Sequence, residues 1–313
     1  MEAGRMIETG LTDQIENRGR KKRKGEGIRM GEGVQDAEGD RLPSEEKGSC
    51  SRVKKLGTLS HLRGTLCISR LENVIESEDG SDANLIGKSN LNTLQLKWSS
   101  NIGESQDKTK AFEVLNNLQP HNSLKELTIR HYEGERFPTW LRGASFSNMV
   151  LLTIGNYTEC TLLPPIGELP SLQVLWIEGF DKVKNIGLEL FREGCSQPFK
   201  SLRTLHFENM LEWENWSHGQ EFQGLLELSI KRYPKLSGEL PIQLPLLKKV
   251  VIENCAQLVV SIIGFSKLCE VAIKECKGLV CRNDVGFQSL GSLELREISE
   301  SAGHIEELTH VED

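Results

Sequence analysis

One six-residue pattern recurs nine times in this chain: an apolar residue, two residues of any type, a second apolar residue, one residue of any type, and a third apolar residue. The pattern begins at Leu91, Leu124, Met149, Leu172, Leu202, Leu225, Leu247, Leu268 and Leu290. The last five starts are nearly evenly spaced, at intervals of 23, 22, 21 and 22 residues. One short strand in every such interval predicts a chain that stacks its units into a solenoid.

A single unit shows how the pattern divides side chains between two faces. In the unit that starts at Leu247, Val250 and Ile252 alternate with Lys249 and Glu253. Alternate residues of a strand point to opposite faces, so the apolar pair faces the core and the charged pair faces outward. We therefore predict an α/β solenoid of the leucine-rich-repeat type. It is a curved stack of short parallel strands joined by irregular or short helical return segments.

Amphipathic helices are the alternative source of regularly spaced leucines. They would place apolar residues at three- and four-residue steps over ten or more positions, whereas this pattern stops after six. The two long intervals, of 33 and 30 residues, are interpreted as loop insertions at 102–111 and 183–196. The slot where the chain leaves the strand holds Cys255, Cys276, Tyr157, Phe180 and Tyr233. We expect buried side chains there, with the thiols bonded to backbone.

Composition divides the chain into three parts. Residues 1–54 lack Phe, Trp and Tyr and are dense in charge, which predicts a disordered leader. Residues 55–298 form the solenoid, and residues 299–313 are an acidic tail. The basic run Arg20–Lys24 in the leader is interpreted as a nuclear import signal, a phosphate-binding arm or a solvated charge run.

Charge and residue usage exclude several classes of function. The net charge of -7 argues against nonspecific nucleic-acid binding. The chain has no apolar run of 18 residues and no apolar segment at its N-terminus, so neither a membrane span nor a secretory signal is expected. Several of the eight cysteines occupy repeat positions, which favours reduced thiols in the cytoplasm. No metal or cofactor site is expected. The seven histidines are scattered, so no catalytic residues are predicted.

Several non-repeat stretches resemble one known family. They include Leu163-Pro164-Pro165-Ile166-Gly167-Glu168-Leu169-Pro170, Phe137-Pro138-Thr139-Trp140-Leu141, Leu118-Gln119-Pro120-His121, and Phe199-Lys200-Ser201-Leu202 leading to Trp213 and Trp216. The opening stretch Leu59–Leu66 belongs to the same set. Together they resemble the R13L1/DRL21-like repeat region of plant intracellular disease-resistance proteins of the coiled-coil, nucleotide-binding, leucine-rich-repeat class. The resemblance covers about two thirds of the chain, and it does not extend to the leader.

The resemblance implies a protein-recognition role in innate immunity. Such a region senses a pathogen effector or a guarded host protein and, in a full receptor, restrains a nucleotide-binding domain. This sequence contains no phosphate-binding loop, since neither glycine-rich stretch near Gly25 or Gly31 is followed by Lys-Ser or Lys-Thr. ATP or ADP binding is therefore not expected. The alternatives are a substrate adaptor or scaffold, for example of a ubiquitin ligase, and a truncated fragment that does not signal.

The outward strand positions are the candidate protein-binding surface. Ten of them form the predicted site: Lys97, Arg130, Val174, Trp176, Glu178, His206, Glu208, Lys231, Lys249 and Glu253. Trp176 with Arg130, His206 and Glu178 is the predicted hot spot, because Trp and Arg dominate interface contacts. The other interpretation makes Trp176 a lid over neighbouring strands. Trp140, Trp213 and Trp216 are predicted to be structural wedges between repeats.

Overall fold

The computed structural model describes residues 27–29, 53–100, 107–142, 145–157, 159–187, 190, 198–216, 222–238, 244–262, 265–280 and 290–302. The basic run Arg20–Lys24 and residues 303–313 lie outside this set, as does the predicted leader apart from Gly27–Arg29 and residues 53–54.

Eleven strands form one sheet within these residues, and neighbouring strands pair in parallel in the order of the chain. They are β1 Gly27–Arg29, β2 Gly64–Ser69, β3 Leu91–Lys97, β4 Glu126–Arg130, β5 Leu151–Tyr157, β6 Val174–Phe180, β8 Thr204–Glu208, β10 Glu227–Lys231, β11 Lys249–Ser261, β12 Glu270–Val280 and β13 Ser292–Ala302. Two short strands, β7 Asn185–Ile186 and β9 Asn215–Trp216, form a separate parallel pair. The predicted stack of parallel strands is confirmed. Strand β13 extends past the boundary predicted at residue 298.

The core is built from the residues that the pattern places inward. In β4, Leu127 and Ile129 are fully buried, while Thr128 between them is partly exposed. The register sets Leu127 beside Leu94 and Leu152 of the adjacent strands, so equivalent apolar residues stack along the whole sheet. One unit cannot bury its apolar face alone, whereas the stack can.

The nine-fold pattern missed strand β2, which comes directly before the strand of the first pattern unit, β3. Leu66 and Ile68 of β2 are fully buried, but exposed Arg63 occupies the position where the pattern begins with an apolar residue. A search for that apolar residue therefore skips this unit, although the resemblance noted for Leu59–Leu66 includes it.

A second apolar column lies three residues before the first pattern residue in six of the described units. The backbone N–H of the first pattern residue donates to the carbonyl three residues earlier, as from Leu202 to Phe199 (3.0 Å) and from Leu225 to Phe222 (3.1 Å). The same turn precedes Met149, Leu172, Leu247 and Leu268. Its first residue is at most 3% exposed in all six units: Phe146, Leu169, Phe199, Phe222, Leu244 and Phe265.

In most units the residue seven positions after the start of the pattern has left-handed backbone. Positive φ angles occur at this position in nine units: Arg70, His131, Asn156, Gly179, Asn209, Arg232, Asn254, Glu275 and Glu297. The next residue turns into the core, and from Tyr132 to Cys276 this slot is at most 2% exposed. Tyr157 and Phe180 stack there with ring centroids 4.6 Å apart. The Cys255 thiol donates to the Glu253 carbonyl at 3.4 Å, as predicted for the slot.

The described residues contain two α-helices, α1 Asp79–Asp82 and α2 Lys108–Asn117, and four short 3-10 helices, at Lys54–Thr58, Leu71–Asn73, Leu85–Gly87 and Thr139–Leu141. The Asp107 side chain caps α2 by accepting from the N–H groups of Thr109 (3.0 Å) and Lys110 (3.2 Å). The interpretation of residues 183–196 as a loop insertion was partly wrong. Val183 and Ile186 are fully buried, and Ile186 belongs to β7, so the described start of this segment is packed into the repeat.

The three loop tryptophans are structural, as predicted. Trp140, Trp213 and Trp216 are 6%, 0% and 8% exposed. The Trp213 ring lies 5.0 Å from Phe207 of its own repeat and 4.8 Å from Tyr233 of the next, measured between ring centroids. These rings fill the space between adjacent repeats.

Candidate functional site: the concave face

The candidate site is the face of the parallel sheet that points away from the core, which is the concave face of such a stack. Its side chains form three rows across the strands. The first row is Thr93, Glu126, Leu151, Val174, Thr204, Glu227, Lys249 and Glu270; the middle row is Gln95, Thr128, Thr153, Trp176, His206, Ser229, Val251 and Ala272; the last row is Lys97, Arg130, Gly155, Glu178, Glu208, Lys231, Glu253 and Lys274.

All ten residues of the predicted site lie in these rows, and nine of them are partly exposed. The exception is Val174, which is only 3% exposed. Val174 therefore forms part of the floor of the face and offers little area for contact. That these residues bind a partner remains a prediction.

Apolar and aromatic side chains gather at the centre of the face. Leu151 and Val174 are adjacent in the first row, and Trp176 stands in the middle row next to Thr153. The Trp176 ring leans toward β8 and lies 3.8 Å from the His206 ring between centroids, with 34° between the ring planes. Trp176 thus partly covers a neighbouring strand, as the lid interpretation expected, yet it stays partly exposed, as the hot-spot interpretation expected.

The indole N–H of Trp176 is buried and has no hydrogen-bond acceptor among the described residues. An unmade hydrogen bond at a buried donor costs free energy, typically about 1–3 kcal/mol. Trp176 is therefore held in place by packing and by His206 rather than by a bond of its own.

Arg130 and Glu178 flank this centre as an ion pair across two strand intervals. Their Nη1 and Oε2 atoms are 3.3 Å apart, although β5 lies between β4 and β6. The residue of β5 between them is Gly155, and a Cβ added there would lie 3.5 Å from Glu178 Oε2. Because glycine has no side chain, residue 155 leaves space in which the side chains of Arg130 and Glu178 can meet. Sequence reasoning missed Gly155, although it stands in a row of otherwise charged residues.

Glu208 is the centre of a second polar cluster. Its carboxylate accepts from His206 Nε2 at 3.2 Å and pairs with Arg232 Nη1 at 2.9 Å. The bond from His206 is the main reason that the pKa of Glu208 is lowered, with further contributions from nearby Arg232 and Lys231. Arg232 was also missed from sequence, because it lies one residue past β10 in the left-handed position.

The two ends of the face differ in charge. At the N-terminal end, Lys97 and Arg130 are side by side in register. Beside them, the pKa of His131 is lowered, chiefly by burial and then by Arg130. At the C-terminal end the charges neutralise one another: Lys231 pairs with Glu253 (3.3 Å). The same end carries the further pairs Lys249–Glu270 (3.0 Å), Lys274–Glu253 (3.7 Å), Lys274–Glu294 (2.7 Å) and Arg296–Glu294 (3.0 Å).

His206 is the histidine of the middle row in the part of the chain that the structure describes. The His206 ring bonds to Glu208, and no hydroxyl or thiol within that part hydrogen-bonds to it. No group of three or more His, Cys, Asp or Glu residues there could hold a metal ion. No helix there is long and apolar enough to span a bilayer.

A parallel sheet of short strands in chain order, with leucine columns in register, defines a leucine-rich-repeat solenoid. Residues 53–180, the first half of the repeat region, match the family described as R13L1/DRL21 LRRs.

Similar curated proteins are disease-resistance proteins. Disease resistance RPP13-like protein 1 of Arabidopsis thaliana is 36% identical over 225 residues, 66% of this chain and 21% of its own length. Disease resistance protein RGA2 of Solanum bulbocastanum is 29% identical over 67% of this chain and 20% of its length. RGA1 of the same species is 29% identical over 81% and 23%. The chain thus spans about a fifth of the length of these relatives.

Among solved structures, the crystal structure of the TLR13–ssRNA13 complex aligns with a TM-score of 0.44 and 17% identity. The alignment covers 79% of this chain and 37% of that chain, and the likeness is too distant to add to the assignment.

Proposed function

We propose that this repeat region is a non-enzymatic protein-recognition module of plant defence, and that it contacts its partner through the concave face around Trp176. The relatives named as disease-resistance proteins support the defence role. The partner would be a pathogen effector or a guarded host protein. In a longer receptor the same region would also restrain a nucleotide-binding switch domain.

One arrangement of side chains supports the concave face as the contact surface. Leu151 and Trp176 form a partly exposed apolar and aromatic centre, and the ion pairs Arg130–Glu178 and Glu208–Arg232 surround it. Interface hot spots have this arrangement, in which an aromatic anchor is shielded from water by a polar rim. Most carboxylates of the last row are already neutralised by neighbours, so the partner would add apolar contact rather than a compensating charge.

The five described cysteines are all free thiols, which suits a reducing compartment, and we place the recognition event in the cytoplasm.

Site-specific photo-crosslinking tests this proposal. A photo-reactive phenylalanine analogue at Thr153, beside Trp176, should capture a discrete protein in leaf tissue that responds to a pathogen. The same analogue at Leu162 is the control, since Leu162 is 64% exposed but lies in a return segment. Capture at Thr153 that disappears with Trp176→Ala supports the proposal. Equal capture from both positions, or capture unaffected by Trp176→Ala, would refute it.

A further inference from the structure

Glu227 of β10 is a partly buried carboxylate on the concave face, and no side chain within the described part of the chain bonds to it. It lies in the first row, with Thr204 and Lys249 beside it in register. Lys249, the adjacent cation, pairs instead with Glu270 of β12, with 3.0 Å between Nζ and Oε2. Burial raises the pKa of the Glu227 carboxyl; the charge of Lys249 opposes this rise, and the charge of Glu270 adds to it. The fold thus holds a negative charge partly out of water without a contact that compensates it, which costs free energy.

The other carboxylates in the three rows of the face already have partners. In the first row, Glu126 accepts from the Thr93 hydroxyl at 3.2 Å. The ion pairs are Arg130–Glu178, Arg232–Glu208, Lys231–Glu253 and Lys249–Glu270. Among the described residues of these rows, Glu227 is therefore the carboxylate that is left for a positive charge from another molecule.

Glu227 is close enough to Trp176 to be covered by the same partner. Strand β10 lies two strand intervals from β6, and the two residues are in neighbouring rows. This places their backbones about 12 Å apart. A standard interface covers about 800 Å² on each partner, which is a patch roughly 30 Å across. A partner centred on Trp176 therefore removes more water from Glu227, at a cost in free energy unless it brings a positive charge.

We infer that the partner presents a lysine or arginine side chain to Glu227 in the same complex in which its apolar side chains cover Trp176. This inference rests on the proposed recognition surface and adds the charge of the partner to it. In an extended segment about 12 Å corresponds to three or four residues, so the basic residue stands at about that spacing from the apolar anchor. A partner with a neutral side chain there leaves the carboxylate covered and unpaired, and it binds more weakly.

Selection of peptides displayed on phage tests this inference. The library consists of random peptides of about twelve residues, long enough to span Trp176 and Glu227 when extended. It is selected on the immobilised full-length chain, and peptides that also bind Trp176→Ala are removed. The remaining peptides should carry Lys or Arg at the expected spacing from an apolar residue at least about threefold more often than the unselected library.

The selection separates failure of this inference from failure of the recognition surface. Peptides that depend on Trp176 but show no enrichment of Lys or Arg would overturn the inference and leave the surface standing. Recovery of no peptide that depends on Trp176 would contradict both.

Titration calorimetry with one selected peptide assigns the effect to Glu227. Glu227→Gln should weaken its binding by about tenfold or more, because the basic side chain loses its partner. Glu126→Gln is the matched control. Glu126 is in the same row, two strand intervals from β6 on the opposite side, and already accepts a hydrogen bond from Thr93.

The control variant should change the affinity by less than about twofold. A peptide with methionine in place of its basic residue should bind the unaltered chain and Glu227→Gln equally well. Equal affinity of the original peptide for Glu227→Gln and Glu126→Gln would overturn the inference, since the contact would then not depend on Glu227.

Discussion

Arg130 of β4 reaches over Gly155 of β5 to pair with Glu178 of β6, with 3.3 Å between Nη1 and Oε2. Ion pairs elsewhere on the face, such as Lys231 with Glu253, join adjacent strands. This longer pair borders the Trp176 centre and fixes two charged side chains that are otherwise rotamer-rich. It makes one edge of the proposed recognition surface depend on the absence of a side chain at residue 155.

A bulky residue at position 155 should disconnect the pair. Partly exposed ion pairs contribute about 0.2–1 kcal/mol, so a coupling energy in that range is expected from a double-mutant cycle of Arg130→Met and Glu178→Gln. In a Gly155→Leu background the coupling should vanish, whereas Gly155→Ala should largely keep it, since its Cβ makes only ordinary contact with Glu178. Unchanged coupling with leucine would show that the pair does not pass over residue 155.

Removal of the hydroxyl group should change the free energy of unfolding in opposite directions at two buried tyrosines, Tyr132 and Tyr233. Tyr132 donates to the Arg136 carbonyl at 2.8 Å, whereas the hydroxyl of Tyr233 is buried without a partner among the described residues. Tyr132→Phe should lower the free energy of unfolding by about 0.5–1.5 kcal/mol. Tyr233→Phe should leave it unchanged or raise it, because an unsatisfied buried group is removed. Denaturant unfolding of both variants measures this, and equal losses would contradict the assignment.

The left-handed position seven residues after the start of the pattern should tolerate only some residues. Gly179 has φ +63°, and a Cβ there would lie 2.9 Å from Asn156 Oδ1 and 3.0 Å from its Cα. Gly179→Ala should therefore cost at least about 1 kcal/mol. Exposed Glu275 occupies the same position with φ +52°, and Glu275→Asn should stabilise by a few tenths to about 1 kcal/mol.

Glu275→Gln is the control for that experiment, since it removes the charge without favouring left-handed backbone. A gain in thermal stability shared by the asparagine and glutamine variants would trace the effect to charge instead of backbone.

Glu208 and Glu227 of the concave face should contribute to folding stability with opposite pH dependences. The pKa of Glu208 is lowered by its bond from His206, so its contribution is full above the unfolded pKa, near 4.5, and is lost as pH falls through the lower folded value. The pKa of Glu227 is raised by burial, so stability is lost as pH rises through that value.

At pH 7, then, Glu208→Gln should destabilise the fold and Glu227→Gln should stabilise it. The difference at Glu208 should shrink as pH is lowered below about 4.5, whereas the difference at Glu227 should shrink earlier, as pH falls through its raised folded pKa toward 4.5. Unfolding curves of the two variants across this range provide the measurement, and shifts of the same sign at neutral pH would contradict the environments described for these carboxylates.

The core residues could be predicted because their apolar side chains alone mark them in the sequence. Leu127 and Ile129 recur at fixed spacing, and only burial explains that alternation. The pattern did not detect strand β2, because Arg63 occupies the position where the pattern requires an apolar residue. Similarly, Ile186 joins the core where its short strand pairs with Trp216 of the next repeat, which is a contact that spacing does not encode.

The candidate site was only partly predictable. Alternation identified which residues face outward, including Trp176 and His206. It could not show that Val174 is nearly covered, because exposure depends on neighbours in three dimensions. Nor could it show that Arg130 passes over Gly155 or that Arg232 reaches Glu208, since both pairs join residues 24 or more positions apart in sequence.

The most direct test of the recognition surface is the affinity of the protein captured at Thr153 for three purified forms of this chain. These are the unaltered chain, Trp176→Ala and Leu162→Ala, compared by titration calorimetry after circular dichroism shows that all three are folded. If the concave face around Trp176 binds the partner, Trp176→Ala should weaken binding by about 30-fold or more, as expected for an interface hot spot, and Leu162→Ala should change the affinity less than about twofold. Equal affinity of the unaltered chain and Trp176→Ala would contradict the assignment of this face as the recognition surface.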